Sequence, residues 1–299
     1  MKLSVILPCF NGADTIAVQL EALANQQWSE PWEVIVSNNG STDNSMAIVE
    51  QYRNRLPNLR IVDAYTPPEP RRGVTHSYKV GMQAATGDAF VFCEADDEVA
   101  PGWLAAMGEA LKQYDFVAGA LEYKKLNEPW LVRDCDKQID TELQTSWMVP
   151  GLPFSSGCKL GMKRFVYETV GEFDESCKTS WDTDYCWRVQ RAGIKLHFVP
   201  NAVIHYRLSH KFLERYRKSC KWGECEIILL KKHGKPLVGL RKFKYCVRTF
   251  LGVLRQLPRV IWHSRSKKDF AESIWTLGWS IGMWQGSVKY LLLKTSDVN

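Results

Sequence analysis

Four short apolar runs, residues 3–7, 33–37, 59–62 and 89–93, are separated by segments whose apolar residues recur at helical spacing. Residues 15–27 place Ile16, Leu20 and Leu23 on one face, residues 43–52 run through Ile48 and Tyr52 behind a capping Asp43, and residues 75–85 are stopped by Gly87. A strand cannot bury two apolar faces alone. Alternation with helices of this length predicts a mostly parallel twisted sheet flanked by helices. In such sheets ligands bind beyond the C-terminal ends of the strands. The residues to inspect are therefore 8–12, 38–43 and 94–98.

The last of these segments is Glu94-Ala95-Asp96-Asp97-Glu98. Carboxylates crowded at a sheet edge repel unless a hard divalent cation neutralises them, and such a cation also binds diphosphate oxygens. If strand geometry persists, Glu94 and Asp96 point the same way. A solvated turn with capping acids before Pro101 would look similar. Pro8-Cys9-Phe10-Asn11-Gly12 and Asn38-Asn39-Gly40-Ser41-Thr42-Asp43 follow the first and second strands. Each alone is ordinary turn chemistry, but together the three loops outline a pocket.

Beyond residue 120 the pattern is less regular. Residues 122–153 are rich in charge and end in the turn signal Pro150-Gly151-Leu152-Pro153. Residues 160–167 and 182–191 read as strand and helix, and 195–199 and 202–206 as two short strands. From about Lys211 onward the pattern is helical, basic and aromatic. Between Arg207 and Lys268 stand 18 Lys/Arg and 3 Asp/Glu, so the chain's net charge of +6 hides a strongly basic segment. That asymmetry points to an anionic partner, either a membrane surface or a nucleic acid. No run of about 18 charge-free apolar residues, the requirement for a spanning helix, occurs. Residues 274–290 come nearest, but contain Lys289. There Gly278, Gly282 and Gly286 share a helix face suited to close helix contact, against either the rest of the chain or partners at a membrane interface. The apolar run at residues 3–7 ends at Pro8, too short for a signal peptide. Nine cysteines with no repeating CxxC spacing favour a reducing, cytoplasmic setting over a disulfide framework.

The motifs resemble the inverting glycosyltransferase family 2, whose fold is GT-A. The resemblance spans residues 1–207. It rests on Pro8-Cys9-Phe10-Asn11, on Asn38-Asn39-Gly40-Ser41-Thr42-Asp43, and on Glu94-Ala95-Asp96 in the place of the family's Asp-x-Asp metal motif. It continues with Gly171-Glu172-Phe173-Asp174-Glu175 and with Trp181-Asp182 followed by Arg188. The chain departs from the family pattern at Asn38-Asn39 (an Asp pair), at Glu94 (Asp), at Tyr78-Lys79 (Arg-Asn) and at Trp181 (Glu). The resemblance implies a GT-A domain over 1–207 and a helical C-terminal region over 208–299. It further implies transfer from a nucleoside-diphosphate sugar, first of all a UDP-sugar, to a carbohydrate or lipid-linked acceptor hydroxyl. The setting would be surface polysaccharide, glycolipid or glycoprotein assembly. Asp182 would be the base. Pro8, Phe10, Asn38, Asn39, Lys79, Glu94, Ala95 and Asp96 would hold the nucleotide, and Asp96 with Glu94 and His205 would hold Mn²⁺ or Mg²⁺. A protein peripheral on the cytoplasmic face of the membrane, self-associating or not, fits this picture.

Three other readings stand beside it. A nucleotidyltransferase would carry a Gly-rich basic loop near the first strand, and residues 8–14 hold one Gly and no Lys or Arg. A nucleic-acid binder would use the basic segment, where Phe212, Tyr216, Trp222, Phe243 and Tyr245 interleave with the cations. A non-catalytic relative of the same fold would keep the pocket but not the chemistry.

Overall fold

Strand β1 (Leu3–Cys9) is buried along its whole length, and its side chains divide strictly between two cores. Leu3, Val5, Leu7 and Cys9 join the core beneath α1 (Ile16–Ala24) and α4 (Trp103–Gln113). Ile6 joins the core beneath α3 (Val74–Ala84) and α6 (Trp181–Arg191). A period of two with both faces apolar is what a central strand between two helical layers requires. The computed structural model describes residues 1–132, 139–177 and 179–293. Part of the irregular stretch expected at 122–153 lies outside the described residues.

Among the described residues the sheet has eight strands in the order β3-β2-β1-β4-β7-β6-β8-β5. β2 (Trp32–Asn38), β3 (Arg60–Asp63) and β4 (Ala89–Phe92) run parallel to β1. The sheet then turns mixed. β7 (Leu160–Lys163) lies antiparallel between β4 and β6 (Phe116–Glu122), β8 (Leu196–His205) runs parallel to β6, and β5 (Glu98–Val99) closes the edge antiparallel to β8. Residues 195–199 and 202–206 are thus one strand, not two. Its break is a register shift opposite Ala118 and Ala120, which absorbs Pro200 in an exposed position. Short α2 (Ser45–Glu50) starts after Asn44 rather than after Asp43, and α5 (Arg164–Val170) follows β7.

Beyond β8 the described chain is helical. α7 (Phe212–His233) puts Cys225, Ile228, Leu229 and Leu230 into the same core as Tyr78, Phe173 and Trp181. Its far end is tied down by charge. Asp184 of α6 is fully buried and meets Arg188 at 2.8 Å and Lys232 and His233 of α7 at 2.7 Å each. α8 (Leu240–Pro258) and α9 (Lys267–Gly286) complete the layer. The glycine face of α9 is spent inside the molecule, on α7. A Cβ on Gly282 would stand 2.0 Å from the Cys220 carbonyl oxygen, and one on Gly223 of α7 would stand 2.2 Å from that of Trp279. Among the described residues no helix is long and apolar enough to cross a membrane.

Gly282→Val forces the two backbones apart. Overpacking of this kind costs about 2 kcal/mol or more, so the melting temperature of the full chain falls by about 5 °C or more. An unchanged melting curve would contradict the assigned helix contact. Asp184→Asn strands the Arg188 and Lys232 cations, weakens the His233 contact and lowers stability at neutral pH by about 3 kcal/mol. These partners hold the Asp184 carboxyl well below its ordinary range. Its contribution is therefore fully present above the unfolded-state value near 4 and is lost only as pH falls on through the lowered folded-state value. The gap between urea titrations of the two proteins should accordingly begin to narrow below about pH 4 and still be clear at about pH 3.

Candidate active site

Parallel strands β1 and β2 end in register, and β4 beside β1 stops three residues earlier. Cys9 pairs with Asn38, and Ile6 with Phe92. Their following loops therefore emerge on one edge, as the alternation predicts. The first two loops are stitched together. The Asn39 amide donates to the Cys9 carbonyl at 2.8 Å. The Thr42 amide donates to Asn11 Oδ1 at 2.8 Å, Gly12 to Ser45 Oγ at 2.8 Å, and Ala13 to Asp43 Oδ2 at 3.0 Å.

The two adjacent asparagines do different work. Asn38 is consumed by the loop: its Oδ1 accepts from the Ser41 amide and its Nδ2 donates to Asp63 Oδ1, at 2.9 and 3.0 Å. Asn39 is buried, donates Nδ2 to the Arg72 carbonyl at 2.9 Å, and keeps Oδ1 without a partner among the described residues. A buried orphan acceptor is costly, and a ligand N–H would satisfy it. Pro8 is buried beneath this edge. Phe10 is exposed, with the Arg71 guanidinium 3.2 Å from its ring centre.

Strand geometry stops at Phe92, so alternation does not bring Glu94 and Asp96 together. A tight turn does, and it adds Asp97. One carboxylate oxygen from each of Glu94, Asp96 and Asp97 lies within 4.8 Å of the others, a spacing that a single six-coordinate cation can bridge. Asp97 is fully buried. Its Oδ1 accepts from the Arg207 amide at 2.8 Å, and its Oδ2 has no partner among the described residues. Burial, and then the neighbouring Asp96 charge, push the Glu94 carboxyl up to about 7 and move Asp97 in the same direction. Three acids this close, one with an orphan oxygen, fit a divalent cation. Ala95, between them, is buried.

Two cations from beyond β8 reach this cluster, and the motifs reveal neither. Arg207 donates Nε to the Asp96 carbonyl at 2.8 Å. Lys218 of α7 hydrogen-bonds the Tyr206 hydroxyl at 2.9 Å, and its charge favours the ionised forms of Glu94 and Asp97. The expected cation Lys79 is engaged elsewhere, on Glu172 at 2.6 Å. Its neighbour Tyr78 is buried against Phe92 and Trp181. His205 stands opposite Glu98 in the β5–β8 pairing and holds Glu122 at 2.8 Å through Nδ1. The converging carboxylates do not include it.

Asp182 lies in the first turn of α6, half-buried, accepting from the Gly157 and Thr183 amides at 2.9 and 2.7 Å. Burial outweighs these bonds and the favourable helix N-terminus, and pushes its carboxyl up to about 6. It is close enough to Glu94 to raise that group as well. Trp181 beside it is packed, not presented. It lies 4.5 Å from Phe173 between ring centres, over a glycine, Gly157, where a Cβ would stand 2.2 Å from the indole.

Residues 4–171 match the model of glycosyl transferase family 2. The chain belongs to this family. It is 32% identical over 133 residues to the uncharacterized glycosyltransferase YibD of Escherichia coli, a match covering 44% of this chain and 36% of that one. With the glycosyltransferase AglE of Haloferax volcanii it shares 24% over 227 residues, 75% of this chain and 72% of the other. The chain thus spans about a third of the length of YibD and about three-quarters of AglE. Among solved structures, the mannosyltransferase PcManGT of Pyrobaculum calidifontis, in complex with GDP-Man and Mn²⁺, superposes with a TM-score of 0.58 at 17% identity, covering 99% of this chain and 76% of that one. Staphylococcus aureus TarS 1–349 in complex with UDP gives 0.54 at 18% identity, covering 95% and 90%. The curled mixed sheet is therefore a GT-A fold, and the protein is a glycosyltransferase.

Proposed function

We propose that the chain is an inverting, cation-assisted glycosyltransferase that draws a sugar from a nucleoside diphosphate, a UDP-sugar first among the candidates, with Asp182 as base. The observation that carries this reading is the placement of Asp182. It is a half-buried carboxylate with a pKa raised to about 6, set beside the acidic turn where the leaving group would lie.

The nucleoside would occupy the edge formed by Pro8, Phe10, Asn38 and Asn39. The orphan Oδ1 of Asn39 accepts an N–H such as uracil or guanine offers. TarS is solved with UDP and PcManGT with GDP-Man, and both bases present such an N–H. Mn²⁺ or Mg²⁺ held by Glu94, Asp96 and Asp97 would supply charge neutralisation at the diphosphate. His205, already paired with Glu122, is left out of that set. Lys218 takes the part expected of Lys79, holding positive charge against the phosphate oxygens. Asp182 removes the acceptor hydroxyl's proton as the oxygen attacks the anomeric carbon. Attack from the face opposite the diphosphate inverts the configuration there. A carbohydrate or lipid-linked acceptor in polysaccharide, glycolipid or glycoprotein assembly fits this chemistry.

Asp182→Asn is nearly isosteric, keeps one of the two amide hydrogen bonds and removes the base. Transfer falls by about 10²-fold or more, while UDP affinity measured by calorimetry stays within about twofold. Near-normal turnover in this variant would sink the assignment. The base must be ionised, so the wild-type rate is level above the raised pKa and declines as pH falls below about 6. A pH–rate profile under saturating donor that stays flat to pH 4.5 would contradict it.

A further inference from the structure

The strongest feature that glycosyl transfer leaves unused is the outer face of α8. Cys246 and Val253 turn inward. On the other side Leu240, Phe243, Val247, Leu251 and Leu254 are all exposed, from 40% to 67% of their surface. Steps of three and four residues keep these five on one stripe along the helix. The stripe continues past the helix end to Ile261 and Trp262, which are 67% and 68% exposed. A soluble surface seldom leaves so long a run of large apolar side chains in water.

The charge beside the stripe is of one sign. Arg241, Lys244, Arg248, Arg255 and Arg259 are all exposed, and helical spacing puts them together along one flank of the apolar row. Residues 227–268 contain 12 Lys/Arg and no Asp or Glu. An apolar row bordered by cations, on a helix too polar to span a bilayer, is the chemistry of an interfacial helix. The apolar side chains enter the acyl boundary and the cations meet anionic headgroups.

We propose that α8 and the turn after it dock this protein onto a bilayer rich in anionic lipid. Aliphatic Leu and Val side chains gain nothing from a nucleic acid's phosphates. A second copy of the chain would bring a like-charged face against this one. The docked face also ends near the site. α9, which follows the Trp262 turn, begins with Lys267 at 3.7 Å from the Trp130 ring centre, and its Phe270 packs on Phe212, five residues past Arg207. The inference is independent of Asp182 as base, and either can fail alone.

The test is co-sedimentation of the full chain with phosphatidylcholine vesicles, with vesicles of equal parts phosphatidylcholine and phosphatidylglycerol, and with a single-stranded oligonucleotide, at low and high salt. The expected result is binding to the phosphatidylglycerol vesicles that weakens with salt, little binding to phosphatidylcholine alone, and loss of at least about tenfold in partitioning for Leu251→Asp/Leu254→Asp. Because both leucines are exposed, the double variant keeps its melting temperature and its rate of donor hydrolysis. Arg248→Glu/Arg255→Glu should lose a similar factor while leaving the apolar row intact. Unchanged vesicle binding in both double variants would overturn the proposal. So would preference for the oligonucleotide, or a concentration-dependent dimer in light scattering that either double variant abolishes.

Discussion

Mutual repulsion within the acidic turn is the constraint around which the rest is arranged. Glu94, Asp96 and Asp97 crowd one carboxylate oxygen each into a space within 4.8 Å. With Asp97 fully buried, the chain must answer that charge. Burial and the neighbouring charges push Glu94 and Asp97 up, and groups beyond β8 offset part of the repulsion. The Arg207 amide serves Asp97, and the Lys218 charge acts from α7. The proposed site is incomplete at β8. The helical C-terminal region supplies part of its electrostatics.

That dependence explains why α7 is anchored so firmly. One end carries Lys218 toward the acidic turn. The other is held by Lys232 and His233 on the buried Asp184. Asp184 lies two residues after Asp182, and Arg188 on the same helix also donates to the Glu172 carbonyl. The ion pairs that seat the C-terminal helix thus also set the position of α6, and with it the proposed base. Close packing of α9 on α7 through Gly223 and Gly282 stiffens the arrangement from behind.

Much of this was readable in the residues, for physical reasons that also mark the limit. Parallel strands buried on both faces read as continuous apolar runs, so β1, β2 and β4 and the shared edge of their loops could be located. Motif spacing then pointed to the family. Asp97 went unassigned because alternation along a strand selects Glu94 and Asp96, whereas the backbone turns at Ala95. β5 is two residues long and exists only by pairing with β8, a contact no local pattern announces. Lys79 matched by position but meets Glu172, and Lys218 lay within a segment whose charge was legible only as a sum. The glycine spacing of α9 revealed a close helix contact but not whether its partner was α7 or lay outside the chain.

The central claim is that the acidic turn, with Asp97 as its third member, binds the diphosphate through a divalent cation. Calorimetric titration of UDP into the full chain, with and without Mn²⁺, tests it most directly, on wild type and on Asp97→Asn. The account predicts at least about tenfold tighter UDP binding with Mn²⁺ for the wild type, equivalent to about 1.4 kcal/mol, and loss of most of that gain in the variant. UDP affinity indifferent to Mn²⁺ in the wild type, or a gain of the same size in Asp97→Asn, would contradict it.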